Sequence, residues 1–193
     1  MFEIPGGWRD CELDIAGVRL RLTIPADPDQ LLDAHVAALE CAEVQAQVER
    51  PDPYWAALWS AARPTAEAVV RARWPAGATA LELGCGVGLV GLAALARGLR
   101  VTFSDHTPQA TQVALENARR NGYTDARSQV IDWHSPPRAS FDIILASDVL
   151  YQRENHAPLV STIERLLAPH GVCWIGDPGR CIVSDFILTA SPS

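Results

Sequence analysis

The feature that most constrains this sequence is a glycine-rich string, Gly84-Cys85-Gly86-Val87-Gly88, placed between an apolar run and an apolar helical segment. The run at 78–83 has the length of a buried strand, and the segment 89–97 has helical length and ends at Gly98. Because glycine lacks a Cβ atom, the string can turn sharply and let a ligand approach the backbone. The helix that follows offers free N–H groups to an anionic group. The pattern predicts a strand, a binding turn and a helix.

The same alternation of strand and helix continues to residue 177. Further strands are predicted at 101–104, 129–131, 141–146 and 172–176, helices at 107–121, capped by Thr107-Pro108, and at 158–167, and a turn at Pro169-His170-Gly171. Strands that alternate with helices form a parallel sheet with right-handed crossovers. We therefore expect an α/β fold, Rossmann-like and doubly wound, with helices on both faces of a mainly parallel sheet.

The N-terminal part, residues 1–50, has a different pattern. Apolar and polar residues alternate over 11–15 and 18–24, on either side of a turn, which is typical of a β-hairpin. Asp27-Pro28 then begins a helix that is predicted to run to Glu49, with Val48 on its apolar stripe.

Prolines separate this extension from the rest of the chain. Pro51-Asp52-Pro53 ends the long helix and introduces an aromatic segment, and a second helix is predicted at 64–73. Residues 51–193 are then expected to form a single globular unit.

Composition excludes several kinds of chemistry. All 16 Lys and Arg residues are arginine, so a phosphate loop with lysine and Schiff-base catalysis are excluded. The net charge of −7 argues against a nucleic-acid partner, and no apolar run reaches the roughly 18 residues of a membrane span. The five cysteines and five histidines show neither a CxxC pair nor metal-site spacing, so we expect no metal and a reduced, cytoplasmic protein.

Two carboxylates accompany the glycine string. Asp105 ends the second strand of the alternating region, where a carboxylate can accept hydrogen bonds from two ribose hydroxyls. The spacing Gly86-x-Gly88-x-x-Gly91 also matches the dinucleotide fingerprint, so NAD is an alternative ligand. An anionic Glu82, two residues before the first glycine, would repel a pyrophosphate and suit an ammonium group. That favours a nucleoside carrying an amino acid over NAD; glycines that only pack a helix on a strand are a third interpretation.

Together with further motifs, these residues resemble class I, seven-β-strand, S-adenosylmethionine-dependent methyltransferases. The resemblance is closest to the protein-lysine methyltransferase group that includes the electron-transfer-flavoprotein β-subunit lysine methyltransferases. It rests on Asp52-Pro53-Tyr54-Trp55 through Trp59, Glu82 to Gly88, Asp132-Trp133 and Ser147-Asp148-Val149-Leu150-Tyr151, and Gly176-Asp177-Pro178-Gly179-Arg180 extends it. It implies S-adenosylmethionine as methyl donor, bound by residues 51–193. It also implies a protein substrate that presents a lysine, one candidate being an electron-transfer flavoprotein β subunit.

The resemblance also implies which residues bind the donor. They are Trp59, Glu82, Gly84, Gly86, Gly88, Asp105, Asp132, Trp133 and Ser147. The glycines would pass beneath the methionine part and Asp105 would hold the ribose. Asp132 and Trp133 would flank the adenine, and Trp59 would cover the donor and attract its sulfonium by cation–π interaction.

The catalytic residues implied are Asp148 and Tyr151, just past the fourth strand of the alternating region, where open α/β sheets place their ligands. Methyl transfer from a sulfonium needs an uncharged amine, whereas free lysine has a pKa near 10.4. Asp148 would steer the ammonium and Tyr151 would align its lone pair, and the two would share one face if the segment is helical. In the alternative interpretation, Asp148 only caps the following turn.

The C-terminal part departs from the family pattern. A helix and two further strands would need about 30 residues, and fewer than that follow Asp177. We therefore expect the C-terminal strands to be truncated, with one element at 181–190. This leaves a small-molecule amine N-methyltransferase and a non-catalytic donor-binding protein as alternatives to a protein-lysine methyltransferase.

Overall fold

The computed structural model describes residues 1–42 and 53–190. Within these ranges the strands are β1 Trp8–Ile15, β2 Val18–Pro25, β3 Thr79–Leu83, β4 Arg100–Asp105, β5 Arg127–Val130, β6 Phe141–Ser147 and β7 Leu167–Gly176. The helices are α1 Pro28–Ala42, α2 Ala62–Arg71, α3 Leu89–Ala96, α4 Pro108–Arg120, α5 His156–Leu166 and α6 Val183–Ala190. Single 3₁₀ turns lie at Pro53–Ala56 and Arg153–Asn155.

A five-stranded parallel sheet forms the centre of the molecule, in the order β5-β4-β3-β6-β7. Within this sheet the chain first forms β3, continues outward through β4 to β5, and then returns to pair β6 with the other side of β3. The strand order thus reverses between β3 and β6, and open α/β sheets bind ligands at the carboxyl ends of strands at such a switch point. The predicted Rossmann-like α/β fold is confirmed.

Helices cover both faces of this sheet because successive strand residues point to opposite sides. Along β6, Ile143 and Leu145 join a core that also contains α2, α3 and α4. Ile144 and Ala146 join a second core, which includes residues of α5 and α6. All four side chains are at most 2% exposed, so the strand is buried on both faces.

The predicted hairpin is present as β1 and β2, which pair antiparallel from Ile15–Val18 outward. Two asparagines, one in α4 and one directly after it, attach the hairpin to the rest of the molecule. The Asn117 side chain accepts a hydrogen bond from Thr23 N–H at 2.8 Å and donates to the Thr23 carbonyl at 3.1 Å. One turn later, Asn121 makes the same pair of bonds with Arg21. Each side-chain amide bonds both the N–H and the carbonyl of one β2 residue, as a neighbouring strand would. The backbone of the hairpin is therefore hydrogen-bonded to side chains at the end of α4.

Three predictions about local structure need correction. Residues 169–171 are not a separate turn but an irregular part of β7, with His170 at φ +65° and a shift in the pairing register between Phe141 and Ile143 of β6. Thr107 precedes α4 without a capping hydrogen bond from its side chain. The second helix begins at Ala62, earlier than expected.

Other predicted bounds differ by a few residues at most. The end predicted for the first helix, including Val48 and Glu49, lies outside the described residues, as does Asp52. The element predicted at 181–190 is present as α6. Within residues 1–42 and 53–190, no helix combines the length and the apolar character needed to cross a membrane.

Candidate functional site

The glycine string forms a tight loop between β3 and α3. Gly84, Gly86 and Gly88 all have positive φ angles, +63°, +49° and +87°. A Cβ atom at Gly86 would lie 3.0 Å from the Trp55 carbonyl oxygen, and one at Gly88 would lie 2.8 Å from Ala114 Cβ. The loop therefore needs glycine for its backbone conformation and for its packing, as the sequence predicts.

Glu82 lies beneath this loop, near the end of β3. Its side chain is buried, and Oε2 accepts a hydrogen bond from Gly91 N–H in the first turn of α3 at 2.9 Å. Burial raises the Glu82 pKa to about 8, although hydrogen bonds from Gly91 and Val90 act in the opposite direction. Burial therefore favours the protonated form of this carboxyl. The sequence suggests an anionic Glu82 because it does not show how completely the strand end is desolvated.

Asp105 joins the glycine loop from the end of the neighbouring strand, β4. Oδ2 accepts a hydrogen bond from Gly86 N–H at 3.1 Å, and Oδ1 accepts one from Thr107 N–H at 3.0 Å. His106 Nδ1 lies 3.2 Å from the same Oδ1 atom. Since a carboxylate offers about four lone-pair positions, Asp105 retains capacity for further donors such as ribose hydroxyls. The position of Asp105 next to the glycine loop agrees with the sequence prediction.

Trp133 and Asp132 both follow β5, but only Trp133 lies against the glycine loop. Trp133 is half-buried, and its Cζ2 atom would lie 3.8 Å from a Cβ at Gly84, so the indole borders the loop. The Asp132 side chain is exposed and accepts a hydrogen bond from His134 N–H at 2.8 Å, which lowers its pKa. Trp133 is thus brought to the glycine loop, whereas the contacts of Asp132 are with its own turn.

Trp59 also borders the loop. Together with Gly84, Gly86 and Ser147 it lines a small cavity of about 30 Å³. The Trp59 indole N–H donates to the Tyr54 carbonyl at 2.8 Å, which fixes the intervening segment.

The side chain of Asp148 is buried and bonds to residues of two other parts of the chain. The sequence instead suggests a side chain that is available to substrate. Asp148 has φ +57° and is 5% exposed. Oδ2 accepts from Ala61 N–H, just before α2, at 2.6 Å, and Oδ1 accepts from Arg180 at 2.6 Å. Arg180 also bonds Asp177 at 2.7 Å, past the end of β7. In these contacts the carboxylate caps the start of α2 rather than the turn that follows it.

Tyr151 lies at the surface, with its ring 5.9 Å from that of Tyr54 in an edge-to-face arrangement. Residues 148–152 are not helical, so Asp148 and Tyr151 do not share a helix face, which corrects the helical alternative. Between them, Val149 Cγ1 would lie 2.8 Å from a Cβ at Gly84. The loop and the segment that follows β6 are therefore in direct contact.

Two residues of the site received no role from the sequence. Tyr54 contacts both Trp59 and Tyr151, and Arg180 holds Asp148. Arg180 belongs to the Gly176–Arg180 segment, which is part of the family resemblance and could have drawn attention to it. Its pairing with Asp148 is visible only in the folded structure. Among the described residues, no group of three His, Cys, Asp or Glu side chains is arranged to hold a metal ion.

Comparison with known sequences gives relatives that share only part of this chain. EEF1A lysine methyltransferase 3 of Mus musculus is 31% identical over 110 residues, covering 54% of this chain and 47% of the relative. Ribosomal protein L11 methyltransferase of Erwinia tasmaniensis is 33% identical over 91 residues, covering 47% of this chain and 31% of the relative. The chain thus spans less than half the length of these curated relatives.

Solved structures resemble the fold over a larger part of the chain. The TehB-like S-adenosylmethionine-dependent methyltransferase from Corynebacterium glutamicum has a TM-score of 0.56 at 20% identity, covering 85% of this chain and 82% of that chain. A ribosomal protein L11 methylase from Lactobacillus delbrueckii has a TM-score of 0.56 at 21% identity, covering 65% and 64%. At such identities the similarity establishes the fold.

The family itself follows from a match to the sequence model of the lysine methyltransferase family over residues 56–180. The matched range contains the glycine loop, Asp105, Trp133, and the segment from Ser147 to Tyr151. With this match and the fold described above, the chain belongs to the lysine methyltransferase family of class I S-adenosylmethionine-dependent methyltransferases.

Proposed function

We propose that this protein transfers the methyl group of S-adenosylmethionine to the side-chain amine of a lysine in a protein substrate. The observation that carries the proposal is the contact between Val149 and the glycine loop at Gly84. It brings the Asp148–Tyr151 segment beside the loop at the switch point of the sheet, where a donor and an acceptor can meet. The family match supports a lysine acceptor.

The residues around the loop fit the donor chemically. Gly84 and Gly86, with their positive φ angles, give the loop its tight turn, and Asp105 beside it has lone pairs for ribose hydroxyls. Trp133 offers an aromatic surface for the adenine, Asp132 an exposed carboxylate, and Ser147 a hydroxyl in the cavity wall. When bound, S-adenosylmethionine supplies an electrophilic methyl group on a sulfonium.

Two further residues would contact the donor: Glu82 at its ammonium group and Trp59 as a cover. Glu82 accepts the ammonium of the methionine part, directly or through water, and the pairing lowers its raised pKa so that it gives up a proton. Trp59, which lines the cavity beside the loop, covers the donor, and its ring excludes water from the reacting centre.

On the acceptor side, the protein must place an amine in line and favour the loss of its proton. Asp148 and Asp177 share the single guanidinium of Arg180, so the cluster has a net charge of −1 and attracts an ammonium. Direct acceptance of a hydrogen bond by Asp148 uses a lone pair not engaged by Ala61 or Arg180. The Tyr151 hydroxyl aligns the amine.

Labelling with radioactive donor tests this function. The protein is incubated with S-adenosylmethionine carrying a labelled methyl group and a cell lysate, and the acceptor is hydrolysed for amino-acid analysis. The proposal predicts label in methyllysine of a discrete protein; a purified electron-transfer flavoprotein β subunit is a first acceptor to try. Label found only in small molecules would contradict the proposal and indicate a small-amine N-methyltransferase instead. Tight donor binding without transfer would indicate a non-catalytic protein.

A further inference from the structure

Three aromatic side chains lie together on the surface beside the candidate site. Tyr54, Trp59 and Tyr151 are 39%, 44% and 42% exposed, and no other aromatic side chain in the described residues is exposed to this degree. Their rings form a continuous series: the Tyr54 centroid is 6.1 Å from that of Trp59 and 5.9 Å from that of Tyr151. Exposed aromatics grouped in this way indicate a binding surface.

The group is held rigidly, although it belongs to two separate loops. Tyr54 sits in the 3₁₀ turn between the buried residues Pro53 and Trp55, and its carbonyl accepts the indole N–H of Trp59. The rings meet edge to face, at interplanar angles of 70° and 77°, so their π faces point in different directions around Tyr54. Such an arrangement is already formed before any ligand binds.

The three aromatic side chains lie next to the residues proposed to bring donor and acceptor together. Trp59 forms part of the cavity wall with Gly84 and Gly86, while Tyr151 follows Asp148 on the acceptor side. The surface of the three rings therefore lies where an acceptor side chain would approach the glycine loop. Asp148, Asp177 and Arg180 add a net negative charge nearby.

We propose that Tyr54, Trp59 and Tyr151 form a recognition surface for the alkylammonium group of the acceptor, with Tyr54 as the residue that determines specificity. The inference rests on the proposed function and names how the acceptor is chosen. The faces of aromatic rings attract cations electrostatically and also contact methylene groups, which suits a lysine side chain with or without methyl groups. A neutral group of equal shape gains only the apolar contact.

A cation titration tests the surface without a donor or a protein acceptor. Tetramethylammonium chloride is added to the protein while the indole N–H resonance of Trp59, assigned with Trp59→Phe, is followed by NMR. Neopentyl alcohol is the neutral control of similar shape, and sodium chloride controls for ionic strength. We expect saturable shifts with tetramethylammonium alone. Equal shifts with neopentyl alcohol would overturn the proposal.

Substitution of Tyr54 separates recognition from folding. Tyr54→Leu removes the π face, whereas Tyr54→Phe keeps it, and Tyr123→Leu changes a tyrosine that precedes β5, at the opposite edge of the sheet. Tyr54→Leu should weaken tetramethylammonium binding about 2- to 30-fold, the range expected of cation–π contacts, with the other two variants near wild type. Unchanged binding in a folded Tyr54→Leu protein would contradict the assignment.

A further test measures methyl-transfer kinetics with the acceptor that the labelling experiment identifies. Tyr54→Leu should raise KM for that acceptor about 2- to 30-fold and leave KM for S-adenosylmethionine within about twofold. An unchanged acceptor KM would overturn the inference while methyl transfer continues. Absence of label on any protein would instead contradict the proposed function, and the cation titration would still report on the surface independently.

Discussion

At the scale of single residues, the glycine loop depends on glycines, which have no side chain, and on the buried carboxyl of Glu82. Gly86 has φ +49° and faces the Trp55 carbonyl, while Glu82 bonds the first turn of α3 behind it. A Cβ at Gly91 would lie 2.6 Å from the Glu82 carboxyl oxygen, so this glycine also makes room for the acid. Loop conformation and carboxyl burial are thus coupled through α3.

Gly86→Ala should reduce donor binding. The new Cβ would stand 3.0 Å from the Trp55 carbonyl oxygen in a backbone conformation that alanine disfavours, so the loop must shift. We expect the Kd for S-adenosylmethionine, measured by calorimetry, to rise about tenfold or more, on the order of 1.4 kcal/mol. Gly98→Ala is the matched control, because Gly98 has φ +81° and open space around it. Equal losses of affinity in both variants would contradict the account.

Glu82→Gln should alter how stability depends on pH. Because the folded protein holds this proton up to about pH 8 and the unfolded chain releases it near 4.5, ionisation of Glu82 lowers stability as pH rises across that window. The glutamine variant lacks this loss, so its stability relative to wild type should increase between pH 5 and 8 by a few kcal/mol. Urea unfolding at several pH values measures it. Glu116→Gln, on the surface, should follow wild type; a parallel pH curve for Glu82→Gln would count against a raised pKa.

At the scale of elements, side chains that bond backbone join parts far apart in the sequence. Asn117 is fully buried and ties the hairpin to the glycine loop, since it bonds Thr23 and also donates to the Val87 carbonyl at 2.9 Å. Asp148 joins the ends of β6 and β7 to the start of α2 in a comparable way.

Asn117→Ala should destabilise the protein by about 3 kcal/mol or more, because buried backbone groups of Thr23 and Val87 lose their partners. Asn121→Ala removes similar bonds to Arg21 at an exposed position and should cost about 1 kcal/mol. Urea denaturation of both variants checks the difference. Equal effects would mean that burial of the Asn117 amide adds nothing to hairpin attachment.

Arg180→Met should destabilise the protein by about 2–4 kcal/mol, because it leaves the buried Asp148 carboxylate without its cation. Arg153→Met removes an exposed pair with Asp185 and should cost no more than about 1 kcal/mol. Adding Asp148→Asn to Arg180→Met should recover part of the loss. If the double variant shows the sum of the single effects, Arg180 and Asp148 are not coupled.

The sequence predicts the main elements well because their signals are local. Strand length, helix periodicity and the glycine string give the parallel sheet and the position of the loop, as β3, β4 and α3 show. The ion pair of Asp148 with Arg180 was not predictable, since the two residues meet only when β6 and β7 pair. The contact of Tyr54 with Tyr151 also joins residues far apart in the sequence. The protonation of Glu82 likewise depends on tertiary burial.

At the scale of the whole molecule, the fold places the proposed donor-binding and acceptor residues at one edge of the sheet. The glycine loop follows β3, Asp105 ends β4, and the Asp148–Tyr151 segment follows β6, so all lie at the carboxyl ends of adjacent strands. The chain also contains no lysine, which removes automethylation on lysine from any assay. Methyllysine formed in its presence must therefore belong to another protein.

Mass spectrometry can test directly whether this protein transfers a methyl group to lysine in a protein substrate. Lysate from cells lacking this protein is incubated with S-adenosylmethionine carrying a deuterated methyl group, with and without the purified protein. The account predicts deuterated methyllysine at a discrete site in one or a few proteins, only when the protein is added, and strongly reduced with Gly86→Ala. The absence of protein-dependent deuterated methyllysine, in a sample where donor binding is confirmed by calorimetry, would contradict it.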